Sequence, residues 1–145
     1  MRTAIAQAVD KAAVINAAVG GHGRPIEAPI LPGSLGEHPD VAKIAFDVSA
    51  AQKTLEDAGY KLPEGGTVRT LKKAPGGDLP NELSVTITTV KNAEFVQAAE
   101  AIASELAVVG IKADVNAVEN GSFFATVIEP HAYQILLTGT LLGVD

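Results

Sequence analysis

The spacing of apolar residues predicts helices over three parts of the chain. The first helical period runs through 2–19 and stops at the glycine-rich run 20–23, because glycine readily adopts the left-handed conformation that ends helices. A second helix is predicted between the N-cap Asp47 and the C-cap Gly59. The third and longest covers 93–109, and its apolar residues recur at helical spacing: Phe95, Ala99, Ile102, Ala103 and Leu106.

Three other segments have the pattern of strands. Segment 83–90 alternates apolar residues with serine and threonine, which predicts a strand with one polar face or a place near a sheet edge. Segments 111–118 and 132–138 follow, with a short helix at 122–128 between them. A strand, a helix and a second strand in this order predict parallel strands joined by a right-handed crossover, and the third strand repeats the step. We therefore expect an α/β fold with a mostly parallel sheet flanked by helices.

Proline and glycine concentrate in two stretches whose apolar residues follow neither the helical spacing nor the alternation of a strand. Segment 21–46 is predicted to be a long loop, and 61–82 a hairpin region with a short edge strand at 67–71 and a turn at 75–78. The first helix begins almost at the first residue with no capping residue before it, and the chain stops just past its last strand. We therefore expect residues 1–145 to form a single domain that is a piece of a longer protein.

Composition excludes several classes of function. Apolar residues make up 47% of the 145, which is enough for a core, and the formal net charge is −6. An acidic chain without a run of lysine or arginine is not expected to bind nucleic acid or an anionic membrane, because both require clustered positive charge. The absence of cysteine removes disulfides, thiolate nucleophiles and zinc–thiolate sites. No apolar run approaches the roughly 20 residues of a membrane helix, and the early charges at Asp10 and Lys11 do not fit a signal peptide.

No residue pattern points to an enzyme. The three histidines, which lie in loops or at element ends, do not share a metal-ligand spacing: His22, His38 and His131. Ser34 is the residue nearest to a nucleophile elbow, but it lies in a proline-rich loop instead of a strand-to-helix turn. The acidic pairs fall on polar helix faces, where we expect them to be solvated: Glu56 with Asp57, and Glu100 with Glu105. We expect no catalytic residue, no metal site and no cofactor.

Hydrogen-bonding residues follow each predicted strand. Ligands of open α/β sheets sit outside the carboxyl ends of the strands. The residues at these ends suit a polar organic ligand: Lys91, Asn92, Asn120, Thr138, Gly139 and Thr140. For Asn92 and Asn120, a purely structural role as the N-cap of the following helix is the more frequent one. The sequence therefore predicts a binding edge and no catalytic centre.

Five stretches, in order, also resemble the motifs of one protein family. The N-terminal RTAIAQAVDKAAVI resembles the (L/V)RxAIxxAIDRxxI helix of the extracytoplasmic solute-binding proteins of peptide and nickel ABC importers, the oligopeptide/dipeptide-binding class of family 5. The glycine- and proline-rich stretches 20–25 and 29–36 resemble the loop that follows it, and 46–60 resembles the YDxxKAxxLLxEAGY helix. The strand at 83–88 and the helix and strand in 98–115 complete the pattern.

This resemblance implies a fold and a role. The chain would be most of one lobe of a two-lobed, type II periplasmic-binding-protein-like fold, with the solute bound between the lobes. It would be the non-enzymatic, monomeric component of an ABC importer that captures a peptide or similar small polar solute and delivers it to the membrane permease. Its place would be extracytoplasmic, in the periplasm or at the cell surface, with a lipid anchor outside this stretch of sequence.

Departures from the family pattern bear on the solute. The family's end strand reads YDxxLxGW before an acid that helps to hold the ligand, whereas here Gln134 replaces the aspartate and Thr140 the tryptophan. Asp145 is the candidate for the later acid, at a longer spacing. The alternative interpretation is a lipoprotein of the same fold that acts as a scaffold or regulator in cell-envelope assembly.

Overall fold

Helices and strands alternate along the computed structural model, which describes residues 1–28, 30–37, 40–71 and 82–140. The helices are α1 (Arg2–Ala8), α2 (Lys11–Val19), α3 (Val48–Asp57), α4 (Ala93–Val108) and α5 (Asn120–Phe123), with a π-helical turn at Phe124–Ile128 after α5. The strands are β1 (Tyr60–Lys61), β2 (Thr70–Leu71), β3 (Ser84–Val90), β4 (Lys112–Val118) and β5 (Ile135–Leu137). The sequence features outside the described residues are His38, the predicted turn at 75–78 and Asp145.

Strands β3, β4 and β5 form a parallel sheet in the order β4-β3-β5. The predicted parallel sheet with flanking helices is confirmed, although β5 does not extend the sheet beyond β4 and instead pairs with the other side of β3. Since β3 is central among the described strands, its expected place near a sheet edge is wrong. The expected polar face is also wrong at Thr88, because Thr88 and Thr89 are 2% and 0% exposed. Successive residues of a strand point to opposite faces, so both faces of β3 are covered at this end.

The core lies between the sheet and helices α1, α3 and α4. Ile87 of β3 and Leu106 of α4 are fully buried there together with smaller and aliphatic residues: Ala4, Ala8, Ala51, Leu55, Leu83, Ala99, Val109 and Ile111. Helix α1 packs against α3, α2 packs against α4, and α4 covers β3 and β4. Alanines at the contact positions allow the helices to pack closely. The core is thereby filled although the chain has few aromatic side chains.

The first predicted helix is divided into α1 and α2, which corrects the sequence prediction. Val9 is extended, and the carboxylate of Asp10 accepts hydrogen bonds from the backbone N–H groups of Ala12 at 2.9 Å and Ala13 at 3.3 Å. The carboxylate of Glu105 in α4 accepts a further hydrogen bond from the N–H of Asp10 at 3.0 Å. The N-cap and the distant carboxylate satisfy amides that a break would otherwise leave unpaired. The expectation that Glu105 is simply solvated is therefore wrong.

Strands β1 and β2 form an antiparallel hairpin that Arg69 joins to α3 and to the end of α4. The guanidinium of Arg69 donates to the carbonyl oxygens of Val109 at 2.7 Å and Tyr60 at 3.0 Å, and to Oε1 of Glu56 at 3.3 Å. Gly110 has a φ of +85°, and a Cβ at this position would lie only 2.7 Å from Cγ of Arg69. Both the left-handed backbone and the close approach therefore require glycine here.

The described part of segment 21–46 contains neither helix nor strand. It includes a tight loop in which the carboxylate of Glu37 accepts a hydrogen bond from the N–H of Gly33 at 2.6 Å. The chain rejoins the core where the N–H of Asp47 donates to the carbonyl oxygen of Gln7 at 2.8 Å. Among the described helices, none combines the length and the apolar character that crossing a membrane would require.

Candidate functional site

The carboxyl ends of β3, β4 and β5 lie together at one edge of the sheet, here called the carboxyl edge. Val90 of β3 is in register with Val118 of β4, and Thr89 of β3 is in register with Leu137 of β5. The residues just after these strands therefore share the edge, and they include most of the predicted site residues: Lys91, Asn92, Asn120, Thr138, Gly139 and Thr140. Because the strand order reverses at β3, the edge is a topological switch point, where open α/β sheets form a crevice.

Lys91 and Glu119 form an ion pair that joins the ends of β3 and β4. Nζ of Lys91 lies 2.5 Å from Oε1 of Glu119, and the backbone N–H of Lys91 donates to the carbonyl oxygen of Val118 at 2.7 Å. The hydrogen bond to Glu119 and the negative charge of its carboxylate raise the pKa of Lys91. Both side chains are well exposed, so the pair adds little stability. A ligand at this point would meet a cation that is already paired.

The two asparagines differ in their roles at this edge. Oδ1 of Asn92 accepts a hydrogen bond from the N–H of Glu94 at 2.9 Å, which makes Asn92 the N-cap of α4. Asn120 is exposed and is the first residue of α5, whose N-cap is Glu119 and which has no side-chain cap hydrogen bond. The cap interpretation is therefore correct for Asn92 and wrong for Asn120, whose amide lies at the surface.

The segment after β5 contacts both β3 and α4. The hydroxyl of Thr89 donates to the carbonyl oxygen of Leu137 at 2.9 Å. Residues 138–140 are exposed. A Cβ at Gly139 would lie 2.8 Å from Cζ of Phe95, so the glycine backbone is in direct contact with the aromatic ring.

Two residues of the carboxyl edge, Phe95 and Glu119, are not among the site residues predicted from the sequence. Phe95 fits the apolar stripe of α4, and only the tertiary structure reveals its contact with Gly139. Glu119 carries a signal that could have found it. It directly follows one predicted parallel strand as Lys91 follows another, and opposite charges at adjacent strand ends are placed to pair.

Gln134, which replaces an aspartate of the family pattern, has a structural role at the other end of β5. Its Oε1 accepts a hydrogen bond from the backbone N–H of Thr86 at 2.6 Å, just before the pairing of Ile87 with Ile135. The side chain thus takes the place of a backbone carbonyl and extends the ladder between β3 and β5. Gln134 lies away from the carboxyl edge.

The groups at the carboxyl edge are hydroxyls, amides and one ion pair, which can hydrogen-bond a polar ligand. In the part of the chain that the structure describes, no cluster of three or more His, Cys, Asp or Glu residues could hold a metal ion. The arrangement offers groups that recognise a ligand by hydrogen bonding.

Comparison with protein families matches residues 1–144 to the family of bacterial extracellular solute-binding proteins, family 5, in its middle part. The chain belongs to this family. The resemblance seen in the sequence motifs is therefore confirmed. A search of curated proteins finds no match.

Solved structures of family 5 proteins share the fold of the chain. AppA from Bacillus subtilis, in complex with a nonapeptide, has a TM-score of 0.82 at 20% identity, over 94% of this chain and 27% of AppA. NikA from Brucella suis, in complex with Fe(III)-EDTA, has a TM-score of 0.76 at 21% identity, over 93% of this chain and 26% of NikA. AgaA from A. tumefaciens R10, in complex with agropinic acid, has a TM-score of 0.71 at 30% identity, over 97% of this chain and 25% of AgaA.

This family 5 chain thus spans 25–27% of the length of AppA, NikA and AgaA. The family consists of solute-binding proteins that serve transporters, and the matched structures are binding proteins as well. The prediction that the chain is not an enzyme is confirmed by this membership.

Proposed function

We propose that this family 5 chain forms most of one lobe of a two-lobed solute-binding protein of an ABC importer. Its partners are then the second lobe, with which it closes around the solute, and the membrane permease that receives the solute. Closure of this kind is driven by contacts that both lobes make with the solute only when shut. The small share of AppA, NikA and AgaA that the chain spans supports the proposal, because most of those proteins lies outside the matched region.

The observation that carries the proposal is the convergence of three strand ends at the carboxyl edge. Asn120, Thr138 and Thr140 offer exposed, uncharged hydrogen-bonding groups there, and Lys91 offers a cation paired with Glu119. A few polar groups that converge at a switch point are typical of sites for small polar ligands.

We propose a peptide or a similar small polar organic compound as the solute. AppA was solved with a nonapeptide and AgaA with agropinic acid, so both kinds of ligand occur among similar proteins. The chain is 30% identical to AgaA and 20% identical to AppA. Because the identity is higher to the protein with the non-peptide ligand, a test of binding has to include a non-peptide solute.

The proposed location is outside the cytoplasm, in the periplasm or at the cell surface. The family description as bacterial extracellular proteins supports this location. In this proposal a lipid anchor lies outside this stretch of sequence, and the protein acts as a monomer beside its permease.

A titration followed by NMR tests the proposed site. The isotope-labelled chain is titrated with tri-alanine and, separately, with agropinic acid, while backbone amide signals are followed. We expect the signals of 91–92, 119–121 and 138–140 to move with dissociation constants of about 1 mM or weaker, because one lobe alone leaves the solute partly hydrated. The loop at 30–37 serves as an internal control. If neither probe moves the edge signals, or if the movement centres on that loop, the proposed site is wrong.

Gene neighbourhood separates the import role from the alternative. Permease and ATPase genes beside the gene for this chain would support import. Genes of envelope synthesis, without transporter genes, would contradict it and favour the scaffold or regulator role.

A further inference from the structure

The ring of Phe95 lies outside the buried core, although its spacing puts it on the apolar stripe of α4. It is half-buried, whereas Ala99 and Leu106 of the same helix are completely buried in the core cluster. The ring lies instead against the chain after β5. A Cβ built on Gly139 would lie 2.8 Å from Cζ and 3.4 Å from Cε1 of Phe95. The ring thus occupies the space that any larger residue at 139 would need.

The chain around 138–140 is held from two sides. The hydroxyl of Thr89, a residue that is 0% exposed, holds the carbonyl oxygen of Leu137 at 2.9 Å from within the sheet. The ring of Phe95 supports Gly139 from α4. Only Lys91 and Asn92 separate β3 from α4, and Asn92 caps the helix, so the ring projects from a helix start that is fixed to the sheet. Thr138 and Thr140, on either side of the supported glycine, are exposed.

We propose that Phe95 is a positioning residue of the carboxyl edge. Through its contact with Gly139 it sets the course of the backbone at 138–140, and so it presents the hydroxyls of Thr138 and Thr140 in a fixed arrangement. The statement that these hydroxyls bind a solute rests on the proposed function. The contact between Phe95 and Gly139 is independent of that function. A binding edge needs this kind of support, because a polar group contributes to affinity only when packing holds it in place.

The first test needs no ligand. The variants F95L, G139A and the double variant are compared with the wild-type chain by urea unfolding and by the amide signals of 138–140. We expect G139A to lower the folding equilibrium constant about tenfold in the wild-type background and no more than about threefold in the F95L background, because leucine vacates the space. Gly121→Ala is the control for a Cβ that meets nothing within 4 Å, and because Gly121 lies in α5 this variant should leave stability unchanged or increase it.

The second test measures positioning separately from stability. F95L should shift the amide signals of 138–140 and raise the dissociation constant of whichever probe binds the wild type, tri-alanine or agropinic acid, by about threefold or more. Phe124→Leu, at a ring that is 68% exposed, is the aromatic control. It should leave the amide signals of 138–140 and the dissociation constant unchanged.

The outcomes separate the two proposals. An equal loss of stability from G139A in both backgrounds, or unchanged signals of 138–140 in F95L, would overturn the role of Phe95. Failure of both probes to bind the wild type would count against the proposed function, and the ligand-free test would still decide the role of Phe95.

Discussion

Arg69 shows how a charged side chain becomes acceptable in a buried position. Its side chain is 5% exposed, and it donates to two carbonyl oxygens as well as to Glu56, whose own side chain stays 58% exposed. One of these carbonyls, at Val109, terminates α4, where a positive charge also complements the helix dipole. The guanidinium thus serves as a C-terminal cap as much as a partner in an ion pair.

We therefore expect Arg69→Met to destabilise the chain by about 2–4 kcal/mol, because the buried carbonyl oxygen of Val109 and the partly buried one of Tyr60 lose their donor. Arg69→Lys should recover only part of this loss, since one ammonium cannot reproduce the fork of donors. Urea unfolding measures both. Lys53→Met removes the exposed pair with Asp57 and is the matched control, expected to change the free energy of unfolding by less than about 1 kcal/mol. Equal effects of R69M and K53M would contradict this account.

Glu105 gives the stability of the chain a predictable dependence on pH. Partial burial raises the pKa of this carboxyl, the hydrogen bond from the N–H of Asp10 opposes the increase, and the nearby charge of Asp10 adds to it. The native state therefore binds this proton more tightly than the unfolded chain does. The stability that the protonated group contributes is present below pH 4.5 and is lost as pH rises through the native pKa.

The variant Glu105→Gln should remove this pH dependence, because glutamine keeps an oxygen that can accept from Asp10 and never ionises. The free energy of unfolding of E105Q minus that of the wild type should increase as pH rises through the interval above 4.5, by at most about 1.4 kcal/mol per pH unit. Glu100→Gln, on the exposed side of the same helix, is the control. A difference that stays flat across this interval, or that decreases, would show that Glu105 does not behave in this way.

At the scale of elements, the junction of α1 and α2 depends on one side chain. The carboxylate of Asp10 accepts two N–H groups of the first turn of α2, and this geometry allows the chain to turn at Val9. Asp10→Ala should cost about 1 kcal/mol of the free energy of unfolding, as other N-cap losses do. Asp10→Asn retains an accepting oxygen and should stay close to the wild type, so equal losses in the two variants would rule out capping as the cause.

Elements defined by local signals are the ones that the sequence predicts well. The helices beginning after Asp47 and Asn92 were expected from an N-cap followed by apolar residues at helical spacing, and both side chains do accept the capping hydrogen bonds. The division of the first helix is a different matter. Local spacing favours a continuous helix there, and the carboxylate of Glu105, 95 residues along the chain, helps to stabilise the break.

At the scale of the molecule, the secondary structure and the core predict a gradient of local stability. Helices α1, α3 and α4 share one buried cluster with β3, whereas the described part of segment 21–46 has neither helix nor strand. Amide hydrogen exchange should therefore be slowest in β3 and α4, approaching the rate set by global unfolding, and far faster at 31–37. Exchange at 31–37 as slow as in β3 would mean that another surface covers this loop.

The carboxyl edge illustrates which part of a site a sequence can specify. The candidate residues were found as three separate groups, because polar residues after strands are visible locally. A shared edge follows from the predicted parallel sheet, whereas the strand order β4-β3-β5, which decides which of these groups are neighbours, was not predicted from the sequence pattern. The contact of Phe95 with Gly139 depends on the same order, since β5 must lie beside β3 to bring the two together.

By itself, the sequence determined the type and approximate place of the main helices and strands, the parallel α/β class and the family. These properties follow from the spacing of apolar residues, from helix-capping residues and from family motifs, all of which involve residues close together along the chain. Only the tertiary structure decided the strand order, the division of the first helix, the burial of Thr88 and Arg69, and the contact of Phe95 with Gly139. Each of these depends on the balance of packing and hydrogen bonding between residues far apart in the chain, and no local pattern encodes that balance.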